Sequence, residues 1–178
     1  MDNSLLAVRD ITHKYIVVER KRDGNQNKTK RCSLLEAAIF WGAFIRMMVQ
    51  KGFLPRIKNA KGRFQFVYVR DVAQAIAVSI SNPAAFNQTY NLCNPQQVDY
   101  PLLADALTAA AGTPAEIRRM TWEQAQEQGI PLPFAVQEQE TELYNSEKSM
   151  RELGIVYTPL NAGMKKTYHA FYQVYRDN

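Results

Sequence analysis

The chain has 178 residues, of which 46% are apolar and 22% charged, and a net charge of +5. That is the composition of an ordinary globular protein long enough to bury a core, without internal repeats or low-complexity blocks. Two cysteines rule out a disulfide scaffold, and the longest apolar run, Ala37 to Ile45, falls short of the roughly 20 residues that a bilayer span needs.

The charge is unevenly spread. Residues 1–70 carry 15 Lys and Arg against 5 Asp and Glu, a net +10, and residues 71–178 carry 7 against 12, a net −5. A basic front half is a solvated surface, a face for an acidic partner, or an attractor of phosphate and nucleic acid. No nucleic-acid motif accompanies it. Asp2, Arg9 and Asp10 break up the start of the sequence, so it does not read as a signal peptide, and a cytoplasmic, reduced setting is expected. Cys32 and Cys93 match no metal spacing. His13 and His169 are far apart, without a second ligand nearby in sequence, and no metal site is expected.

Residues 1–32 read as a poorly defined basic extension, with one strand over Thr12 to Glu19 and a mobile loop over Lys21 to Arg31, broken by Gly24 and Asn25. Ser33 caps a predicted helix to about Lys51, with Glu36 completing a capping box. Its Leu34, Leu35, Ala38, Phe40, Trp41, Phe44, Ile45, Met48 and Val49 nearly encircle it, so it wants cover on more than one side. Gly52 ends that helix, and Lys58 to Gly62 form a turn. Phe64 to Val69 is aromatic and β-branched and reads as a buried strand. Asp71 is the expected cap of the next helix, Val72 to Ser81, which Asn82-Pro83 stops.

Thr89 to Cys93 is a short strand. Asp99 caps a helix closed by Gly112, Ala115 to Met120 is another strand, and Thr121 with Gln124 starts a short helix. Ser146 opens a helix that stops at Leu153-Gly154. A last helix over Leu160 to Tyr175 has Met164, Tyr168, Phe171, Tyr172 and Tyr175 as its expected buried stripe. Strands and helices alternate, so the class is α/β.

Four segments carry a resemblance. They are Phe66-Val67-Tyr68-Val69-x-Asp71-Val72-Ala73; Thr89-Tyr90-Asn91-Leu92 with Val98-Asp99 beyond a turn; Leu143 to Gly154; and Thr158-Pro159-Leu160 before a closing helix. In this order the chain from Gly52 onward resembles the substrate half of the extended short-chain dehydrogenases, the NAD-dependent epimerase/dehydratase family. The Phe-Gln-Phe-Val-Tyr-Val wording is nearest the branch of chloroplast stem-loop-binding proteins, which bind RNA. The resemblance implies an incomplete extended short-chain dehydrogenase fold, mainly the helix-rich substrate domain over residues 33–178, with the glycine-rich Rossmann half absent.

That family holds NAD(P) on a Gly-x-x-Gly-x-x-Gly turn, where backbone amides and a helix N-terminus meet the pyrophosphate. Here the glycines lie at 24, 42, 52, 62, 112, 129, 154 and 163, and no two are three apart. The isolated chain is therefore expected to bind no cofactor, although the family implies NAD(P). The family's catalytic Tyr-x-x-x-Lys pair lies on a helix of its first domain. Tyr144-x-x-x-Lys148 comes too late in the chain and is read as a helix-start tyrosine that packs and a solvated lysine. No catalytic residue is assigned.

By resemblance, the substrate-binding candidates are Arg63, Phe64, Gln65 and Tyr68. Relatives that bind nucleotide sugars carry a clamping arginine where Phe64 stands, and a second near Phe134 or Ala135, so ordinary UDP-sugar binding is not expected. Expected partners are a small-molecule substrate and a second copy or a nucleotide-binding domain. The alternative reading is an RNA-binding module that uses the basic N-terminal half.

Overall fold

The structure, a computed structural model, describes residues 4–9, 16–22, 44–112 and 115–176. In chain order the elements are β1 (Ser4–Arg9), β2 (Ile16–Arg22), a helix α1 described over 44–51, β3 (Phe53–Ile57), α2 (Val69–Ser81), β4 (Thr89–Leu92), α3 (Tyr100–Ala111), β5 (Glu116–Met120), α4 (Trp122–Glu127), α5 (Glu147–Leu153) and α6 (Leu160–Arg176). The class is mixed α/β. The chain divides into two compact units woven from separate stretches. One takes in Met1–Leu34, Gln65–Pro95 and Tyr144–Thr158; the other takes in Leu35–Phe64, Gln96–Leu143 and Pro159–Asn178.

The first unit holds an antiparallel sheet in the order β1-β2-β4, with Val8 opposite Val18 and Val18 opposite Tyr90. Where the sequence reads one strand over Thr12 to Glu19, the structure has β2 beginning at Ile16 and a second strand, β1, before it. Leu5 to Val8 is a four-residue apolar run, which periodicity alone does not assign to any element. Residues 12–15, His13, Cys32, the Ser33/Glu36 capping box, Gly24 and Gly42 lie outside the described residues, as does most of the expected loop. The unit's core joins Val72 and Ala75 of α2, Tyr90 and Leu92 of β4, Leu153 of α5, and Ala85, Ile155 and Tyr157.

The strand expected over Phe64 to Val69 does not form. Phe64 makes a single antiparallel bridge, to Val98. The helix begins at Val69, and the amides of Asp71 and Val72 both bond to Tyr68 O. The apolar character read as a ladder reflects burial in a core, which selects the same residue types.

The second unit is built on a two-stranded parallel sheet in which β3 pairs with β5, Leu54 opposite Ile117 and Ile57 opposite Met120. The sequence analysis assigns no element to residues 53–57, a short run that contains Pro55. Lys58 N–H donates to Met120 O, so by alternation the even-numbered amides of β3 face β5. The amide that Pro55 lacks therefore falls on the open edge, where a proline is tolerated.

Phe44, Ile45, Met47 and Met48 of α1 are buried, so over 44–51 this helix leaves no bare apolar face. Gly52 ends α1 at φ +71, as its position predicts. Helix α3 packs on α6 and β3. It is capped by Asp99, whose carboxylate accepts from Leu102 N at 2.8 Å, and it ends at Gly112 with φ +64. Thr121 and Gln124 form the expected capping box at α4. On α6, Gly163, Met164 and Tyr168 are buried, whereas Phe171, Tyr172 and Tyr175 are only half-buried. Those last rings are covered by each other, Tyr168 on Tyr172 and Phe171 on Tyr175, at the i, i+4 spacing of a helix.

Candidate functional site

In the second unit the turn after β3 is stitched to the loop that follows α4. The amides of Lys61 and Gly62 both donate to Val136 O, at 2.8 and 3.2 Å, and Arg63 N donates to Thr141 Oγ1 at 3.0 Å. The approach is close enough to require a glycine, since a Cβ on Gly62 would lie 2.2 Å from Ala135 O. Gly62→Ala is therefore expected to destabilise the protein by about 2 kcal/mol, within the ordinary range for overpacking. A shift of the urea midpoint checks this. An unchanged midpoint would mean that the two loops separate easily.

Beside this seam lies an aromatic cluster. Phe64 stacks on Phe134 with ring centroids 4.5 Å apart and 25° between planes, and meets Tyr100 edge-on at 5.5 Å. Tyr100 Oη donates to Phe134 O at 2.9 Å and accepts from Phe134 N at 3.0 Å. The main-chain N–H and C=O of Phe134 are thus both bonded to one hydroxyl. Burial drives the Tyr100 phenol above the ordinary tyrosine range, so it stays neutral and keeps its donor.

The sequence placed Arg63, Phe64, Gln65 and Tyr68 together as candidate contacts. Phe64 is 1% exposed and belongs to the aromatic core. The Arg63 side chain, 47% exposed, pairs with the carboxylate of Asp99, the residue that caps α3. Gln65 and Tyr68 belong to the other unit. Gln65 is buried and spent on backbone. Its Nε2 donates to Asn94 O at 3.1 Å and Tyr144 O at 3.2 Å, and its Oε1 accepts from Tyr144 N at 2.7 Å. Tyr68 is half-buried and occupies the N-cap position of α2.

Asp71 is not the helix cap that the sequence suggests. It sits three residues into α2, where its charge suits the N-terminal end of the helix dipole, and no side-chain bond caps the helix. Its carboxylate instead accepts from Thr158 N at 2.8 Å and from Thr158 Oγ1 at 2.7 Å. The sequence holds no local signal of this, since Thr158 lies 87 residues further on, in another of the four segments that carry the resemblance.

The same unit buries further polar groups. Ser149 Oγ has two carbonyls in reach of its one proton, Ser146 O at 2.7 Å and Asn91 O at 3.1 Å, and shares a 2.7 Å hydrogen bond with Tyr157 Oη. Cys93 Sγ donates to Tyr144 O at 3.3 Å, and burial pushes its thiol up, away from the reactive thiolate. Tyr90 Oη is buried without a well-formed hydrogen bond, the Glu152 carboxylate being its adjacent acceptor. Burial first, and then the adjacent Glu152 carboxylate, push this phenol from 10.0 up to about 12.

A buried hydroxyl without a well-formed hydrogen bond is a net cost, so Tyr90→Phe is expected to leave stability at neutral pH unchanged or to raise it by about 1 kcal/mol. Because burial disfavours the ionised phenol, the fold loses stability as pH climbs from 10.0 towards about 12. The phenylalanine variant should lose less stability over that window. Denaturation midpoints followed across it test both points.

Tyr144 and Lys148 are not a helical pair. Tyr144 precedes α5, whereas Lys148 lies in its first turn. The Lys148 ammonium is not the solvated group expected, since it donates to Gln88 Oε1 at 2.7 Å and Thr89 O at 3.3 Å and lies 4.9 Å from the centroid of the Tyr90 ring. Among the described residues no group of three or more His, Cys, Asp or Glu is placed to hold a metal. No described helix is long and apolar enough to cross a membrane.

The structural neighbours are NAD-dependent epimerases, dehydratases and related short-chain dehydrogenase-type enzymes. UDP-glucuronic acid 4-epimerase from Bacillus cereus, in complex with UDP-glucuronic acid and NAD, superposes with a TM-score of 0.54 at 14% identity, covering 75% of this chain and 40% of the epimerase. The PbgP3 protein from Burkholderia pseudomallei gives a TM-score of 0.50 at 18% identity, over 76% and 40% of the two chains. In sequence, the chain is 31% identical over 86 residues to an NAD(P)H azoreductase from Xenophilus azovorans, covering 47% of this chain and 30% of that protein. The chain therefore spans well under half the length of these relatives. No protein-family model matches it.

A nicotinamide cofactor, which the resemblance implies, finds no cradle among the described residues. Gly52, Gly112, Gly129 and Gly154 all have positive φ, and each follows a helix rather than preceding one. Gly62 serves the contact with Ala135, and Gly163 lies inside α6. None presents amides at a helix N-terminus as a pyrophosphate requires.

Proposed function

We propose that this chain is the substrate-binding portion of an NAD(P)-dependent enzyme of the epimerase/dehydratase type, and that it has no activity by itself. The observation that carries the reading is a fold similar to part of such an epimerase, in which no described glycine is placed to hold a dinucleotide. The cofactor and the proton-transferring pair would come from a nucleotide-binding domain outside these 178 residues.

The substrate is a small molecule that is not held by a diphosphate clamp at the positions the resemblance names. Phe64 and Phe134 occupy them, and both rings are buried against each other. Of the four candidate contacts, Arg63 and Tyr68 retain exposed surface. The ion pair of Arg63 with Asp99 is solvent-facing and worth about 0–1 kcal/mol, so a substrate anion can compete for the guanidinium.

Calorimetric titration of the purified chain with NAD, NADP and a structured RNA tests the reading. No heat with either nucleotide is expected, and nicotinamide dinucleotide binding by the lone chain would overturn it. RNA binding that falls steeply with salt would instead establish the nucleic-acid module, with the basic N-terminal half as its contact surface.

A further inference from the structure

Four of the points at which the chain leaves one compact unit for the other lie in described residues, after Phe64, Pro95, Leu143 and Thr158. On the first unit's side, the residues at or next to those points are Gln65, Asn94, Tyr144 and Thr158. The structure ties all four together. Gln65 bonds both the N–H and the C=O of Tyr144, and also Asn94 O. Asn94 Nδ2 donates to Thr158 O at 2.8 Å, and Thr158 in turn donates its amide and hydroxyl to Asp71. Asn94 N is held by Phe66 O at 2.7 Å. Two side-chain amides, Gln65 as both donor and acceptor and Asn94 as donor, thus bridge segments far apart in sequence, without a β-ladder between them.

We infer that Gln65 and Asn94 form a clasp that makes these four chain ends open and close as one body. The alternative is four independent local contacts, each fraying separately. Gln65 is 7% exposed and Asp71 5% exposed, whereas Asn94, Tyr144 and Thr158 are half-buried, so the clasp is shielded from solvent on the Gln65 and Asp71 side. The 15-residue stretch from Tyr144 to Thr158 would be the part most affected, because it is pinned at both ends by side chains from other segments.

Native-state hydrogen exchange on the whole chain tests the clasp. The amides of Asn94, Tyr144 and Thr158 are expected to exchange through a single opening, with the same opening free energy and the same denaturant dependence. In Gln65→Leu, protection should fall by roughly tenfold at Thr158 as well as at Tyr144, although Gln65 makes no hydrogen bond to Thr158. The Lys58 amide, bonded to Met120 O in the other unit, should keep its protection. Distinct openings for the three amides in the unaltered protein, or a loss confined to Tyr144 in the variant, would overturn the inference. Should the variant fail to fold, the measurement on the unaltered protein decides alone.

Discussion

Replacing Phe64 by alanine is expected to lower stability by about 3–5 kcal/mol, the cost of emptying a packed phenylalanine site. The ring is 1% exposed and contacts both Phe134 and Tyr100, so its neighbours have little freedom to collapse into the space. Phe134→Ala should cost somewhat less for its ring, since Tyr100 still holds that residue's backbone at two points. The double variant should fall short of the sum by about 0.5–1.5 kcal/mol, the usual value of an aromatic pair. Urea midpoints of the two single variants and the double variant measure this. A further comparison bears on function. Phe64→Arg restores the cation that the resemblance would place here, but into a buried site, where an unpaired charge costs more than a cavity. A tolerated Phe64→Arg would show that the position faces solvent or ligand, and the reading of Phe64 as core would fall.

Most of the local structure was legible because it rests on local chemistry. Asp99, Thr121 with Gln124, Gly52, Gly112 and Gly154 set helix ends through caps and left-handed turns, which depend on a few adjacent residues. The failures share a different cause. Phe64 to Val69 has strand composition, yet its hydrogen bonds include a lone bridge, the Asn94 amide on Phe66 O, the carboxamide of Gln65 and a helix start, set by residues 28 to 79 positions away or by the early helix. Composition records burial, and burial does not distinguish a strand from an extended core segment. β3 was hidden because the penalty of Pro55 depends on which edge its nitrogen faces, which only the pairing with β5 decides. Gln65 did leave a trace: a carboxamide inside an apolar run demands buried partners, but nothing local names them. The site was less legible still. The stacking of Phe64 on Phe134 brings together two positions that the resemblance had singled out separately, at a separation of 70 residues.

Asp71→Ala is expected to cost about 3 kcal/mol, and the size of the loss separates two roles for this carboxylate. A helix cap is worth about 1 kcal/mol, and its removal leaves only the first-turn amides to find water. A buried tether loses two charge-assisted hydrogen bonds, each ordinarily worth about 1.5–3 kcal/mol, and strands the Thr158 amide away from solvent. Part of that loss is recovered if Thr158 finds water once the side chain is gone, which is why the expected total sits below the sum. Asp71→Asn should fall between, since an amide oxygen accepts one of the two bonds while its NH2 group faces the other donor. The decisive measurement is a double-mutant cycle with Thr158→Val, which removes the hydroxyl and leaves the backbone amide in place. A coupling of about 1 kcal/mol or more assigns Asp71 to the tether, because a cap on α2 has no energetic connection to a hydroxyl 87 residues away. Strictly additive losses would return Asp71 to the helix end alone, and the clasp would then lose its anchor at Thr158.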